Sequence, residues 1–266
     1  MTITKREILI GIIVSIFFIV SGLFISNYIG VKQGEVAEKY YKALKIDNDV
    51  KMFDYNIKTN GGNTLTYGNG IVVDPVSVPE LNGEYAVIVK YTERYEKHIE
   101  YEEVEDEDGD THIEEVIRYS WDRIHTDTVQ ANTVLFLEKE FPVDIFNLGT
   151  GARVDLENQV SEQYKNLYHF GYLYKDADWF EDVGDIRWYF TVVPTEFKGS
   201  LFANFNGETI TKKNAVFYRE QSIEDVIEEK KISGTVGKVI FWIFWIIFVA
   251  FCVIMFLYAE NHWLED

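Results

Sequence analysis

Residues 8–29 and 239–259 contain no charged side chain, whereas the chain between them alternates apolar and polar positions on a short period. At about 1.5 Å of rise per residue, either uncharged stretch forms a helix of roughly 30 Å, the thickness of a bilayer's hydrocarbon core. Both are read as transmembrane helices. They leave tails at 1–7 and 260–266 and a domain at 30–238. Lys5 and Arg6 would suit the n-region of a signal peptide. However, the apolar run outlasts the roughly 7–15 residues of an h-region and ends in Ser26-Asn27-Tyr28-Ile29-Gly30, without a small-x-small cleavage site. Retention as an anchor is expected. Trp242, Trp245, Tyr258 and Trp263 add the aromatic enrichment found near lipid headgroups.

Between the spans the pattern changes from helical to strand-like. Val36, Ala37, Tyr40, Tyr41 and Leu44 recur at helical spacing and predict a short juxtamembrane helix over 32–46 that continues the first span. The turn signals Asn60-Gly61-Gly62-Asn63 and Gly68-Asn69-Gly70 then bracket short strands at 64–67 and 71–73. From Tyr85 the alternation is long: Val87, Val89, Tyr91, Tyr95, Ile99 and Tyr101 share one parity, as do Ile113, Ile117, Tyr119 and Trp121 beyond the acidic run EDEDGDT at 105–111. Two antiparallel strands with one apolar face each make a long β-hairpin. A two-residue turn at Asp108-Gly109 would send the two apolar sets to opposite faces. A three-residue turn of Glu107, Asp108 and Gly109 keeps them together and places glycine at the left-handed position. The latter predicts Tyr95 opposite Trp121 and Ile99 opposite Ile117.

Further strands are expected around 133–137, 167–174, 186–193 and 200–205, with a tight turn at Asn206-Gly207. Ser222-Ile223-Glu224-Asp225 reads as a capping box opening a short helix to about Lys231, with Gly234 and Gly237 as a hinge into the second span. The fold class is thus a membrane protein of α+β type, two transmembrane helices flanking a mainly antiparallel β domain.

Charge and chemistry narrow the function. The chain carries 25 Lys and Arg against 44 Asp and Glu. Only Lys5, Arg6, Lys238, Glu7, Glu260, Glu265 and Asp266 of these lie outside 31–237, so the domain's net charge is about −18. Such a domain is a poor partner for nucleic acid or anionic lipid. The single cysteine, Cys252, lies in the second span, which removes thiol catalysis, intramolecular disulfides and cysteine zinc sites from the domain.

EDEDGDT invites a calcium reading. With Gly109 at position 6 of an EF-hand loop, position 1 is Val104, so a first ligand is missing although Glu115 falls at position 12. A solvated turn is the simpler reading. The histidines, His98, His112, His125, His169 and His262, form no His-x-x-x-His or His-Glu-x-x-His pattern, and no Gly-x-Ser-x-Gly occurs. Gly149-Thr150-Gly151 lacks the third glycine of a dinucleotide fingerprint. No catalytic, cofactor-binding or metal-ligating residue is assigned. An active site assembled only in three dimensions from clustered carboxylates, as in a tethered hydrolase or metal-dependent enzyme, stays open, as does a sensor or accessory domain for a small ligand or lipid.

Basic residues leave the topology open: Lys5 and Arg6 put the N-terminus in the cytoplasm, while Lys32, Lys39, Lys42, Lys45, Lys230, Lys231 and Lys238 pull the domain there.

Tyr95, the acidic run, Asp108-Gly109 and Arg118-Tyr119-Ser120-Trp121 resemble the acidic, DG-tipped, Arg-Tyr-Ser-aromatic segment of the LUMA family of transmembrane proteins. Residues 181–187, Glu-Asp-Val-Gly-Asp-Ile-Arg, with Phe190, resemble that family's Val-Gly-Asp-hydrophobic-Arg strand, and Ser222-Ile223-Glu224-Asp225-Val226 resembles its helix start ahead of the membrane block. The matches keep their order and cover about half of the domain, but LUMA proteins have several C-terminal spans and this chain has one. In architecture the chain is also similar to the membrane-flanking β domain of GIDE-type proteins, without their RING. The LUMA resemblance implies a non-enzymatic membrane organiser with its domain on the non-cytoplasmic side, both termini cytoplasmic, and other membrane proteins as partners; the bilayer itself and a homo-oligomer complete the expected partners.

Overall fold

A computed structural model describes residues 5–105, 111–176, 181–205, 210 and 213–263, with side chains at 5–8, 257 and 259–263 left aside. From helix α1 (Lys5–Lys42) the chain runs through β1 (Leu44–Asp47), α2 (Val50–Lys58), β2 (Gly62–Val72) and the long pair β3 (Tyr85–Glu105) and β4 (Thr111–Gln130). Then follow β5 (Thr133–Phe136), β6 (Lys139–Pro142), β7 (Ala152–Arg153), α3 (Leu156–Gln159), β8 (Tyr168–His169) and β9 (Tyr172–Tyr174). The last elements are β10 (Ile186–Pro194), β11 (Glu196–Phe205), β12 (Ala215–Arg219) and α4 (Ile223–Trp263). Helices α1 and α4 are both long and apolar enough to cross a membrane, and they flank a mainly antiparallel β domain.

The strands form two six-stranded sheets. One runs β12-β11-β2-β5-β6 with β1 parallel to β2; the other runs β4-β3-β10-β9-β8 with β7 on β10. Strand parity sorts the core between them. Val87, Val89, Tyr91 and Val193 face Phe136, Phe197, Leu201 and Phe217 of the first sheet, and Phe53 of α2 and Phe146 fill the space. The opposite parity, Ile88 and Phe190, packs with Leu173 under a cover of Leu81, Val154, Leu156 and Val160. The inner half of β3 is therefore buried on both faces.

Glycines account for two differences from the expectations. The turn expected at Gly68-Asn69-Gly70 does not exist, because β2 runs unbroken from Gly62 to Val72. A Cβ at Gly70 would lie 2.5 Å from the Phe197 ring and one at Gly68 2.9 Å from Leu137, so these glycines admit bulky neighbours rather than bend the chain. Nor do Gly234 and Gly237 hinge the last helix, which is continuous over 41 residues. A Cβ at Gly237 would meet Gln33 Nε2 at 2.3 Å, one at Gly30 would meet Lys238, and one at Gly22 would meet the Trp245 indole at 2.4 Å. The order of these contacts makes α1 and α4 antiparallel, and small residues let the backbones approach closely. Trp245 Nε1 donates to Phe18 O at 2.9 Å and Trp242 Nε1 to Ser26 Oγ at 3.2 Å along the same seam.

Two smaller corrections concern ends and turns. The juxtamembrane helix is part of α1, which stops at Lys42, and Leu44 to Ile46 is strand because Ile46 enters the core beside β2. The single strand expected over 167–174 is a hairpin, with Tyr168 opposite Leu173 and positive φ at Phe170 (47°) and Gly171 (84°). The capping box forms as expected: Ser222 Oγ accepts from Asp225 N at 3.2 Å, and Asp225 Oδ2 accepts from Ser222 N at 3.0 Å. The Asn206-Gly207 turn lies outside the described residues.

The domain sits on its helices through a third cluster. Tyr40 and Ala43 of α1 and Ile223 and Val226 of α4 pack on Leu65 of β2, with Phe202 and Tyr218 beside them. Tyr40 stacks on Phe202 at 4.1 Å and its hydroxyl lies 2.7 Å from that of Tyr218. Burial pushes both phenols above their ordinary range.

Candidate functional site

The β3–β4 ladder has the expected register. Tyr95 pairs with Trp121 and Ile99 with Ile117, the register of the three-residue turn, whose residues lie outside those described. One irregularity between Thr92 and Glu93 shifts the pairing nearer the core. Strand β10 pairs with β3 only as far as Arg94, and Tyr95 still bonds to the Gly184 and Asp185 backbone just before β10, so residues 96–105 pair with β4 alone. At about 3.3 Å per residue this two-stranded arm reaches roughly 35 Å beyond the sheet.

The arm has two unlike faces. Odd positions carry an apolar stripe left open to solvent and interrupted by Lys97, Glu103 and Glu115: Ile99 is 50% exposed, Tyr101 71%, Ile113 72%, Ile117 45% and Tyr119 51%. Even positions are mostly charged. Arg118 bridges Glu100 at 3.2 Å and also Glu102, and His112 lies 3.2 Å from Glu114. The opposite edge of β4 has no strand partner among the described residues.

Where the arm meets the sheet, cations and rings alternate on the odd face. The Arg187 guanidinium lies 4.1 Å from the Trp121 ring centre and 3.8 Å from that of Tyr172, and its Nε donates to Glu93 at 2.8 Å. Arg153 lies between Tyr172 (4.6 Å) and Tyr189 (4.8 Å), Tyr189 stacks on Tyr91 at 4.7 Å, and Arg123 covers Tyr91 at 4.4 Å. Sharing each ring between stacking and a cation ties β3, β4, β9 and β10 together. Arg187 and Glu93 side chains are only 14% and 13% exposed, so the ladder is a sealed joint that leaves the arm beyond it bare.

Other sequence features go elsewhere. Gly149 and Gly151 take φ of 71° and 72° in a loop, and a Cβ at Gly151 would lie 1.9 Å from Val192 O, so Gly149-Thr150-Gly151 closes against β10 and leads into β7 rather than a helix. His125 lies 2.9 Å from Asp127, and the His169 ring contacts Tyr174. Among the described residues, only His98 converges with two carboxylates, Glu96 and Asp122. Reading along the chain missed this trio and the Arg ladder because both are assembled across strands; Glu96-x-His98 at strand spacing was the one local signal. At the foot of the domain a groove of about 610 Å³ is lined by Lys45, Ile227, Lys231, Ile232 and Val236.

No protein-family model, curated protein or solved structure matches the chain. The hairpin and residues 184–187 touch: Trp121 meets Arg187, Tyr95 N donates to Asp185 O at 2.9 Å, and Gly184 N donates to Tyr95 O at 2.9 Å.

Proposed function

We propose that the chain is a two-pass integral membrane protein without enzymatic activity, whose acidic β domain docks other membrane proteins through the β3–β4 arm. The observation that carries this reading is the bare apolar stripe of the arm, held rigidly at its base by the Arg–aromatic ladder. A stripe of five large side chains exposes surface that water disfavours, and isolated globular domains rarely keep such a patch without a use for it. The acidic even face favours a partner with basic residues flanking an apolar strip. Bilayer insertion is supported by the outer faces of α1 and α4, where Phe17, Phe24 and Phe244 are 67%, 75% and 69% exposed. Resemblance to the LUMA family supports a domain on the non-cytoplasmic side.

A photo-crosslinking amino acid at Ile113 or Ile117 in membranes is expected to trap a discrete membrane protein, with no product from Glu114 on the opposite face. Equal products from both faces, or none from the odd face, would remove the docking role. Protease protection in sealed vesicles tests the topology separately. A second reading, favoured by the groove at the foot of the domain, is a lipid or small-ligand accessory domain. It predicts labelling of Ile232 or Val236 by a photoactivatable phospholipid that Val236→Trp abolishes; labelling indifferent to that substitution rejects it.

A further inference from the structure

Glu96 and His98 stand two residues apart on β3 and so share its even face, and Asp122 of β4 reaches the same place from opposite Arg94. One potential ligand atom from each of the three lies within 4.8 Å of the others. No other group of three such side chains converges among the described residues.

The contact between His98 and Asp122 has an unusual feature. His98 Nε2 is 2.8 Å from Asp122 Oδ2, yet that nitrogen is shielded from solvent and makes no hydrogen bond, although 39% of the His98 side chain is exposed. The distance suits a hydrogen bond, but the direction does not. Two ligands of one ion behave in this way: with bonds of about 2.1 Å, neighbouring ligand atoms come roughly 3.0 Å apart at right angles and roughly 3.4 Å apart at tetrahedral angles, without pointing at each other, so a small shift of either side chain would open the space. His125 and Asp127 provide the contrast, since their 2.9 Å contact is a regular hydrogen bond and no second carboxylate joins it.

The surrounding groups orient the carboxylates and leave one oxygen of each available. Ser120 Oγ donates to Asp122 Oδ1 at 2.8 Å, leaving Oδ2 toward His98, and Arg94 Nε donates to Glu96 Oε1 at 2.7 Å, leaving Oε2. Such outer contacts fix ligand geometry in metal sites. With a neutral imidazole, the trio and Arg94 together carry a net charge of about −1, which a dication would overcome locally. One imidazole nitrogen and two carboxylate oxygens make a donor set for borderline divalent ions of the first transition row rather than for calcium or magnesium.

We propose that Glu96, His98 and Asp122 bind a divalent first-row transition ion, with zinc as the preferred candidate, and that the ion clamps β3 to β4 where the arm leaves the sheet. The site lies on the face opposite the apolar stripe, so it does not depend on the docking role. An ion there would restrain splaying of the two strands just past the last residue of β3 held by β10, Arg94.

Calorimetric titration of the full-length protein in detergent, stripped of metal and then given zinc chloride, is expected to show one saturable site. His98→Ala and Asp122→Asn should each weaken it at least about 10-fold, whereas His125→Ala should leave it unchanged. Amide hydrogen exchange on the wild-type protein gives a readout that needs no variant: zinc should slow exchange around residues 94–98 and 120–124. Zinc binding of equal strength in His98→Ala and wild type, only unsaturable binding spread over the acidic surface, or unchanged exchange in those segments would overturn the proposal.

Discussion

Strand β3 is two strands in physical terms. Its inner half, from Ala86 to Val89, is buried on both faces between two cores, while beyond Tyr95 it has β4 on one side and water on both faces. The inner half reads as a nearly continuous apolar run, as sheets covered on both sides do. The outer half keeps Tyr95, Ile99 and Tyr101 on one parity, though Lys97 and Glu103 share it; such a pattern ordinarily marks a strand with one face on a core, yet no core element of the described residues covers it. Alternation therefore reports that an apolar face exists and does not report what covers it. The cover proposed for it is a second membrane protein.

The comparison is broken most severely from the inside. Phe190, fully buried opposite Lys90 of β3, should cost about 3–5 kcal/mol when replaced by alanine, read as a loss of thermal or urea stability of the whole domain. A loss below about 1 kcal/mol would mean that the inner sheet is not a rigid base for the arm.

Arg187 marks the boundary between the halves. Its replacement by alanine removes two ring contacts and leaves Glu93 without its cation, and about 2 kcal/mol of destabilisation is expected, less than for a fully buried pair because both side chains keep some water contact. Hydrogen exchange should show where that loss falls. Faster exchange in 93–99 and 117–123, with the inner strands unchanged, would confirm that the ladder fastens the arm to the sheet.

A smaller effect depends on pH. Asp74 accepts hydrogen bonds from the Asn132 and Thr133 amides, at 2.9 and 2.8 Å, and so braces the chain just after β4. Those bonds, with the Asn132 amide contributing most, hold its carboxyl below the ordinary carboxylate range. A lowered folded-state value means the unfolded chain takes up the proton first as pH falls. The contribution of Asp74 is thus fully present above about pH 4 and is lost as pH drops through the lowered value. Urea midpoints measured from pH 7 to pH 3 should fall less steeply for Asp74→Asn than for wild type.

The smallest effect on folding belongs to the arm. Ile113→Ser and Tyr101→Ser should change stability by no more than about 0.5 kcal/mol, because neither side chain leaves water on folding. The same substitutions should abolish crosslinking to a partner. Destabilisation comparable to Phe190→Ala would show that the outer stripe is covered within this chain after all.

Some of this architecture was legible along the chain. The uncharged stretches marked both long helices, parity gave the register of Tyr95 with Trp121 and Ile99 with Ile117, and Ser222 with Asp225 marked the start of α4. These features depend on residues near in sequence or on a period that repeats. The glycines were misread for a physical reason: a missing side chain permits a bend, but it equally permits close approach, and sequence does not tell the two apart. Gly68, Gly70 and Gly237 serve approach, whereas Gly234 has room for a Cβ, 3.6 Å from Gln33.

The amino-acid sequence alone determined the segments of this protein, the parity of its strands and the acidity of its domain, since local period and composition specify them. Only the tertiary structure decided that Arg123, Arg153 and Arg187 interleave with Tyr91, Tyr172, Tyr189 and Trp121, and that Glu96, His98 and Asp122 converge. Those neighbours are set by which strands pair and where one irregularity shifts the register, and no local pattern encodes that choice.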